Sequence, residues 1–302
     1  MNQRWVRILG SSLSILALAF LAYRFQQQRA REELRSLGSR AWLAVLAGAL
    51  ISVLASAIQA ASWRKSLGAG APRLLRAWVI YGKSQIGKYL PGNVFHFAGR
   101  QVLGARAGVP HSVLLFSSGF EILSLVVAAA FVGGWGVVRF GWLERLPGES
   151  VMRTALAVGA AIALLGGVLL LRFAPRHVDF VRRIGSTSLL SAHAYLWLFF
   201  ACLGSIVYLL GAALGWHVAG GWSFQIAWTA AAVAWVCGFV VPGASAGIGV
   251  REVVLVALVG PVLTEPTALV LALLLRICTL AGDCLTYLVA EGTERAATRV
   301  DG

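Results

Sequence analysis

The sequence predicts an all-α, polytopic integral membrane protein made of two four-segment repeats, each holding a broken or re-entrant helix at a Pro-Gly motif. Composition is the first observation behind this. Hydrophobic residues make up 59% of the 302 and charged residues 13%, with a mean hydropathy of +0.79. The second is patterning. Apolar segments fall at roughly 6–23, 41–61, 77–90, 113–138, 154–171, 195–214, 224–241 and 267–290, several of them near the ~20 residues that a spanning helix needs. The third is a repeated motif. Gly87-x3-Pro91-Gly92-x7-Arg100-Gln101-Val102 recurs as Gly238-x3-Pro242-Gly243-x7-Arg251-Glu252-Val253, and Pro110 and Pro261 follow the two copies at one distance, every position offset by 151. The first four apolar segments, moved by the same offset, nearly overlay the last four. The chain is therefore read as a single transmembrane domain over 1–302, with repeat halves near 1–150 and 151–302.

Taken in order, segment 6–23 ends in Tyr23-Arg24-Phe25-Gln26 without a small-residue cleavage site, and reads as a retained span. Connections 24–40 and 172–194 are rich in arginine and read as amphipathic stretches on a membrane surface. Segments 41–61 and 113–138 read as plain spans, as do their counterparts in the second half. Segment 77–90 is short, carries Lys83 and Lys88, and runs into a Pro-Gly break. Backbone broken at membrane depth is tolerated only where protein or water satisfies its freed polar groups. Three spans plus one re-entrant element per half give inverted repeats. The N-terminus is placed in the cytoplasm by Arg4 and Arg7 with Arg64, Lys65, Arg73 and Arg76, against the contrary pull of the arginines in 24–40. Trp5, Trp42, Trp63, Trp142, Trp216 and Trp222 sit at segment edges, where an amphipathic ring suits the headgroup region.

The net charge of +14 belongs to topology selection and anionic headgroups rather than to nucleic acid. Cys202, Cys237, Cys278 and Cys284 all lie in apolar segments without metal-ligand spacing, so neither a metal nor a cofactor is expected. HExxH, GxSxG and P-loop patterns are absent, and no enzyme or catalytic residue is inferred.

Ionisable groups at membrane depth mark pathways and sites. The candidates for substrate binding are Lys88, His96, Arg100 and Gln101 in the first copy, Glu121 in the span after it, Arg251 and Glu252 in the second copy, and Arg276. Lys83 and Arg106 are further charges of the first copy, and Asp283 follows Arg276 by seven residues on one helical face. The breaks at Pro91-Gly92 and Pro242-Gly243 leave half-helix ends whose free amides favour an anion. Arginine adds a two-point grip on phosphate and lysine a compact charge. Glu121, Glu252 and Asp283 would pair the cations of an empty site. Against this stand plainer readings: Arg100 and Arg251 snorkelling to headgroups, Lys83 marking an interfacial edge, and Arg276 with Asp283 as a structural pair.

These residues resemble the lysylphosphatidylglycerol synthase transmembrane region, or flippase-like, family. The resemblance rests on Leu90-Pro91-Gly92 with Gly99-Arg100, and on the run from Pro242-Gly243 through Gly247, Gly249 and Arg251-Glu252. Trp63-Arg64-Lys65, Glu121 and Arg276 also look like family features. Ala244-Ser245-Ala246 departs from a more Gly-rich run, and His96-Phe97-Ala98 stands where an acid before the arginine is common. The resemblance implies translocation of a phosphate-bearing lipid or a polyprenyl-phosphate-linked sugar across a bacterial-type cytoplasmic (inner) membrane. It covers only the membrane part of the family's synthases, so aminoacyl transfer is not carried over. Two other readings stay open: a non-transporting scaffold for a lipid-modifying enzyme or glycosyltransferase, and a transferase acting on polyprenyl-phosphate sugar. Partners under these readings are an anionic lipid or lipid-linked sugar, a glycosyltransferase, or further copies of the chain.

Overall fold

The computed structural model of the chain describes residues 19–24, 26, 30–90, 94–141, 185–214, 224–241 and 245–300. Among these residues every regular element is a helix. In order they are α1 (Ala30–Arg35), α2 (Ser39–Ser66), α3 (Leu74–Gln85), α4 (Phe95–Arg106), α5 (His111–Arg139), α6 (Ser186–Ala213), α7 (Phe224–Val240), α8 (Val250–Val259) and α9 (Glu265–Val300). Short 3-10 turns at Ile86–Tyr89 and Ser245–Gly247 follow α3 and precede α8. Helices α2, α5, α6 and α9 are long and apolar enough to cross a membrane. The 28 residues of α2 rise ~42 Å, more than the ~30 Å hydrocarbon core, which suits a tilted span. The chain is an integral, multi-pass helical membrane protein.

Small residues set the helix contacts. A side chain at Gly48 of α2 would meet Cys278 Sγ at 2.7 Å, and one at Gly282 of α9 would meet Ser52 Cβ at 2.3 Å. Gly204 of α6 lies under the Trp228 backbone of α7, and Gly136 of α5 lies against Thr229. Close backbone approach of this kind drives association where lipid removes the hydrophobic incentive. Helix α7 has only 17 residues and is buried around most of its circumference, including Ala227, Ala230, Ala231, Ala232 and Ala234. A helix apolar on every side belongs in an interior, and α7 forms the centre on which α5, α6 and α8 pack. In contrast, Leu43, Leu46, Leu50 and Leu54 form an exposed stripe on α2 at helical spacing, the face a lipid-contacting helix turns outward.

The expected segments shift at their edges. The element read as 77–90 begins earlier, at Leu74. The segment read as 267–290 runs on to Val300, because its polar end has no proline and carries an Arg295–Glu291 pair one turn apart at 3.0 Å. Connection 24–40 is tied to the start of α9: Arg24 pairs with Glu265, and the Thr267 hydroxyl donates to Glu33 at 3.1 Å. Pro91, Gly92, Pro242 and Gly243, segment 154–171 and most of 6–23 lie outside the described residues.

Candidate functional site

The two interruptions meet at the centre of the molecule. The chain leaves α3 through the turn Ile86–Tyr89 and re-enters helix at Phe95; it leaves α7 at Val240 and re-enters at Val250 after the turn Ser245–Gly247. The two turns pack against each other. Glycine makes the first folding-back feasible: a side chain at Gly87 would meet His96 N at 2.8 Å and Phe95 C at 2.9 Å, backbone atoms that cannot step aside. Gly238, at the matching place in the second copy, lies against Arg251, where a side chain would meet Cγ at 2.3 Å. The leading glycine of each motif thus serves close approach of the segment beyond the break. Gly247 is in the left-handed region at φ +68°, and Ala246 beside it at φ +50°, where a residue with a β-carbon is held at a cost of about 1–2 kcal/mol. That twist turns the Ala246 carbonyl towards Arg276 Nη1 at 3.4 Å.

A cavity of about 110 Å³ opens between the turns. Lys88, Tyr89, His96, Arg251, Arg276 and Asp283 line it. Tyr81, Gln85 and Glu121 add to one wall, and Ser52, Ser56 and Gln59 of α2 to another. The amino ends of α4 and α8 abut this space, and such ends present free N–H groups and the positive pole of the helix dipole.

The cations around the cavity are compensated unequally. Lys88 Nζ lies 2.7 Å from Asp283 Oδ2, the oxygen to which the Tyr89 hydroxyl donates at 2.5 Å. Arg276 Nε is 3.6 Å from Glu252 Oε1, a loose pair, while Glu252 Oε2 accepts the Gly249 N–H at 2.7 Å and caps α8. Arg100 is 1% exposed and charge-paired through one nitrogen: Nη1 is 2.5 Å from Glu121 Oε2, the Tyr81 hydroxyl donates to Glu121 Oε1 at 2.7 Å, and Nε and Nη2 are buried without hydrogen bonds. Its guanidinium also lies over the rings of Tyr81 and Phe97, at 4.4 and 4.9 Å. Arg251 differs. Its guanidinium lies 5.5 Å from the Trp235 ring, its Nε is buried without a hydrogen bond, and no carboxylate among the described residues pairs with it. A half-buried guanidinium with no paired carboxylate beside a cavity favours an anion there, because withdrawing charge from water without a partner is costly.

The structure gathers Lys88, His96, Glu121, Arg251 and Arg276 at the cavity. Arg100 lies behind Glu121 and Tyr81, Glu252 reaches the cavity through Arg276, and Gln101 is half-buried on α4 away from the lining. His96 is buried, with Nδ1 unpartnered. Arg276 and Asp283 do not pair with each other; each joins a different partner, Glu252 and Lys88. Lys83 pairs with Glu291 at 2.7 Å and with Glu294, apart from the cavity lining, and Arg106 is exposed. Trp63 packs on Tyr81 and donates to Ser117 Oγ at 3.1 Å, while Arg64 donates to the Pro72 carbonyl at 2.9 Å. These two residues build the α2–α3 corner.

Tyr81, Gln85, Tyr89 and Trp235 were not among the sequence candidates. A signal existed for the α2 wall: Ser52, Ser56 and Gln59 fall at i, i+4 and i+7 in an otherwise apolar span, a polar stripe of one helical face. For the tyrosines none did, since their value comes from the carboxylates that α5 and α9 bring to them.

The family pattern described as Lysylphosphatidylglycerol synthase TM region matches residues 7–285. The chain belongs to that family. A search of curated proteins returned no match. Membership in the lysylphosphatidylglycerol synthase TM region family ties this membrane protein to lipid-related work, and the match spans both broken segments and every residue of the cavity wall.

Proposed function

We propose that the chain moves a phosphate-bearing lipid, or a polyprenyl-phosphate-linked sugar, between the leaflets of a cytoplasmic membrane. The observation that carries this reading is Arg251, a half-buried guanidinium with no carboxylate paired to it among the described residues, facing a cavity where two half-helix ends converge. Lys88 and Arg276 add positive charge on either side of it, and both are held by carboxylates that an arriving phosphate can relieve. The family match supports a lipid as the ligand.

Alternating access belongs to the same proposal. The order long helix, shorter helix, break, short helix, long helix occurs twice, in α2–α5 and α6–α9. We read these as inverted repeats that rock about the cavity, each motif segment entering and leaving the membrane on one side. Superposition of 77–103 on 228–254 through an axis in the membrane plane is the geometric form of that reading.

The internally paired Arg100–Glu121 favours a second reading, a closed scaffold that holds a lipid-modifying enzyme or glycosyltransferase. Leaflet exchange of a fluorescent anionic lipid in proteoliposomes separates the two, with an uncharged lipid as control. Transport requires exchange by the parent that falls about tenfold or more in Arg251→Ala, the loss of a charge-assisted contact. Equal exchange in parent and in Arg100→Ala/Arg251→Ala would remove the site.

A further inference from the structure

The cavity of about 110 Å³ mixes charged side chains with apolar ones such as Leu125, Phe199 and Phe239, and it is too small for a whole lipid. A lipid whose anion sits there must keep its chain somewhere contiguous and apolar. One route meets that need. A void of about 40 Å³ shares Trp235, Arg251 and Arg276 with the central cavity. That void shares Glu252, Ala272 and Arg276 with a groove of about 390 Å³, within the usual range of ligand sites. The groove runs between the helical stretch 19–24 and α9, with Leu21, Ala22, Ile248, Leu269 and Leu273 as its apolar walls. Its outer wall is pinned at one end by Arg24–Glu265 and by the bond from Thr267 to Glu33. Where groove and void meet stands the 3.6 Å Arg276–Glu252 pair, with Ala272 giving way beside it.

We propose that this groove seats the hydrocarbon chain of the lipid whose phosphate occupies the central cavity. The inference rests on the reading of that cavity as a lipid-phosphate site. Arg276 is then the hinge of recognition: one side of its guanidinium serves the head, and its stem borders the chain. Opening the Arg276–Glu252 pair joins head site and groove, so the chain stays in the apolar phase while the anion enters. Bulk membrane lipid filling the groove is the competing occupant.

The experiment is photo-crosslinking in phosphatidylcholine vesicles containing the full chain. One arm uses phosphatidylglycerol with a diazirine in its acyl chain, and the other a diazirine-bearing polyprenyl phosphate. Labelled peptides are mapped by mass spectrometry. Labelling is expected at 21–26 and 269–273, falling roughly tenfold in Arg251→Ala and in Arg276→Gln, because the tether to the head is lost. Labelling at Leu43, Leu46 and Leu50, the outward face of α2, is expected to stay unchanged and reports surrounding lipid. The arm with the stronger head-dependent signal names the lipid class. Ala22→Trp fills the groove from its exposed wall and is expected to abolish that signal while the α2 signal persists. Groove labelling that ignores both arginine substitutions would mean surrounding lipid only, and would overturn the proposal. Leaflet exchange is measured separately in the same vesicles. A parent that shows head-dependent labelling without exchange would refute transport and leave the groove standing. Exchange that Ala22→Trp leaves intact, with no head-dependent labelling, would refute the groove and leave transport standing.

Discussion

Two arginines 151 residues apart meet opposite surroundings, and the difference lies in their neighbours. Glu121 and Tyr81 neutralise Arg100; the residues at the same offset in the second half are Ala272 and Ala232. Arg251 is thereby deprived of the partners its counterpart has. Different consequences are expected for the two. Glu121→Gln leaves a guanidinium that is 1% exposed without its counter-charge and should lower stability by roughly 3 kcal/mol, read as thermal unfolding in detergent. Arg251→Ala breaks no ion pair and should leave unfolding nearly unchanged while lipid exchange falls. Arg251→Lys should fall between parent and Arg251→Ala in exchange, since lysine keeps the charge but loses the planar grip. An unfolding temperature that drops equally for Arg251→Ala and Glu121→Gln would contradict this division of roles.

At the scale of elements, the breaks depend on the chain folding back tightly after α3 and α7. Gly87 is closed in by the backbone of Phe95 and His96, whereas Gly119 of α5 has no atom within 4 Å of an added β-carbon. Gly87→Ala is expected to cost about 1–3 kcal/mol by overpacking, and Gly119→Ala to be neutral or slightly stabilising as a helix former replaces glycine. Gly238→Ala presses on Arg251 Cγ rather than on backbone, so its effect should appear in lipid exchange more than in unfolding. The end of α4 uses glycine for its backbone freedom instead of for close approach. After α4, Gly108 at φ +84° lets its own N–H and that of Val109 reach the carbonyls of Ala105 and Gly104, at 2.9 and 3.1 Å, and Pro110 then starts α5.

Across the whole molecule, the halves are joined at the centre by few charges. Lys88 comes from the first broken segment and Asp283 from the last helix, and they meet with Tyr89 at one oxygen. A double-mutant cycle with Lys88→Met and Asp283→Asn should show a coupling of about 0.5–3 kcal/mol in unfolding. The same pair competes with an anion for Lys88. Asp283→Asn should therefore raise apparent affinity for the labelled lipid even as it loosens the join. Additive single effects would show that the halves do not communicate through this pair.

How much of this was legible beforehand follows from range. Helical class, membrane residence and the two interrupted segments depend on composition and near-neighbour patterning, because a bilayer demands long apolar runs and forbids unsatisfied backbone. Lys88, His96, Glu121, Arg251 and Arg276 were legible as candidates for the same reason, charge at that depth requiring a cause, and the fold brings all five to the cavity lining. The pairings were not. Asp283 with Lys88, Glu252 with Arg276 and Tyr81 with Glu121 join residues on different helices, and short-range periodicity carries no information about which faces meet. Arg100 and Arg251 share a motif, so their sequences alone make them equals. The packing of α5 against α4 supplies a carboxylate to one, and beside the other the same offset places Ala272, which has none to give. The sequence by itself determined where charge enters the membrane; the tertiary structure decided which charge is left unpaired, because compensation depends on distances across helices rather than along them.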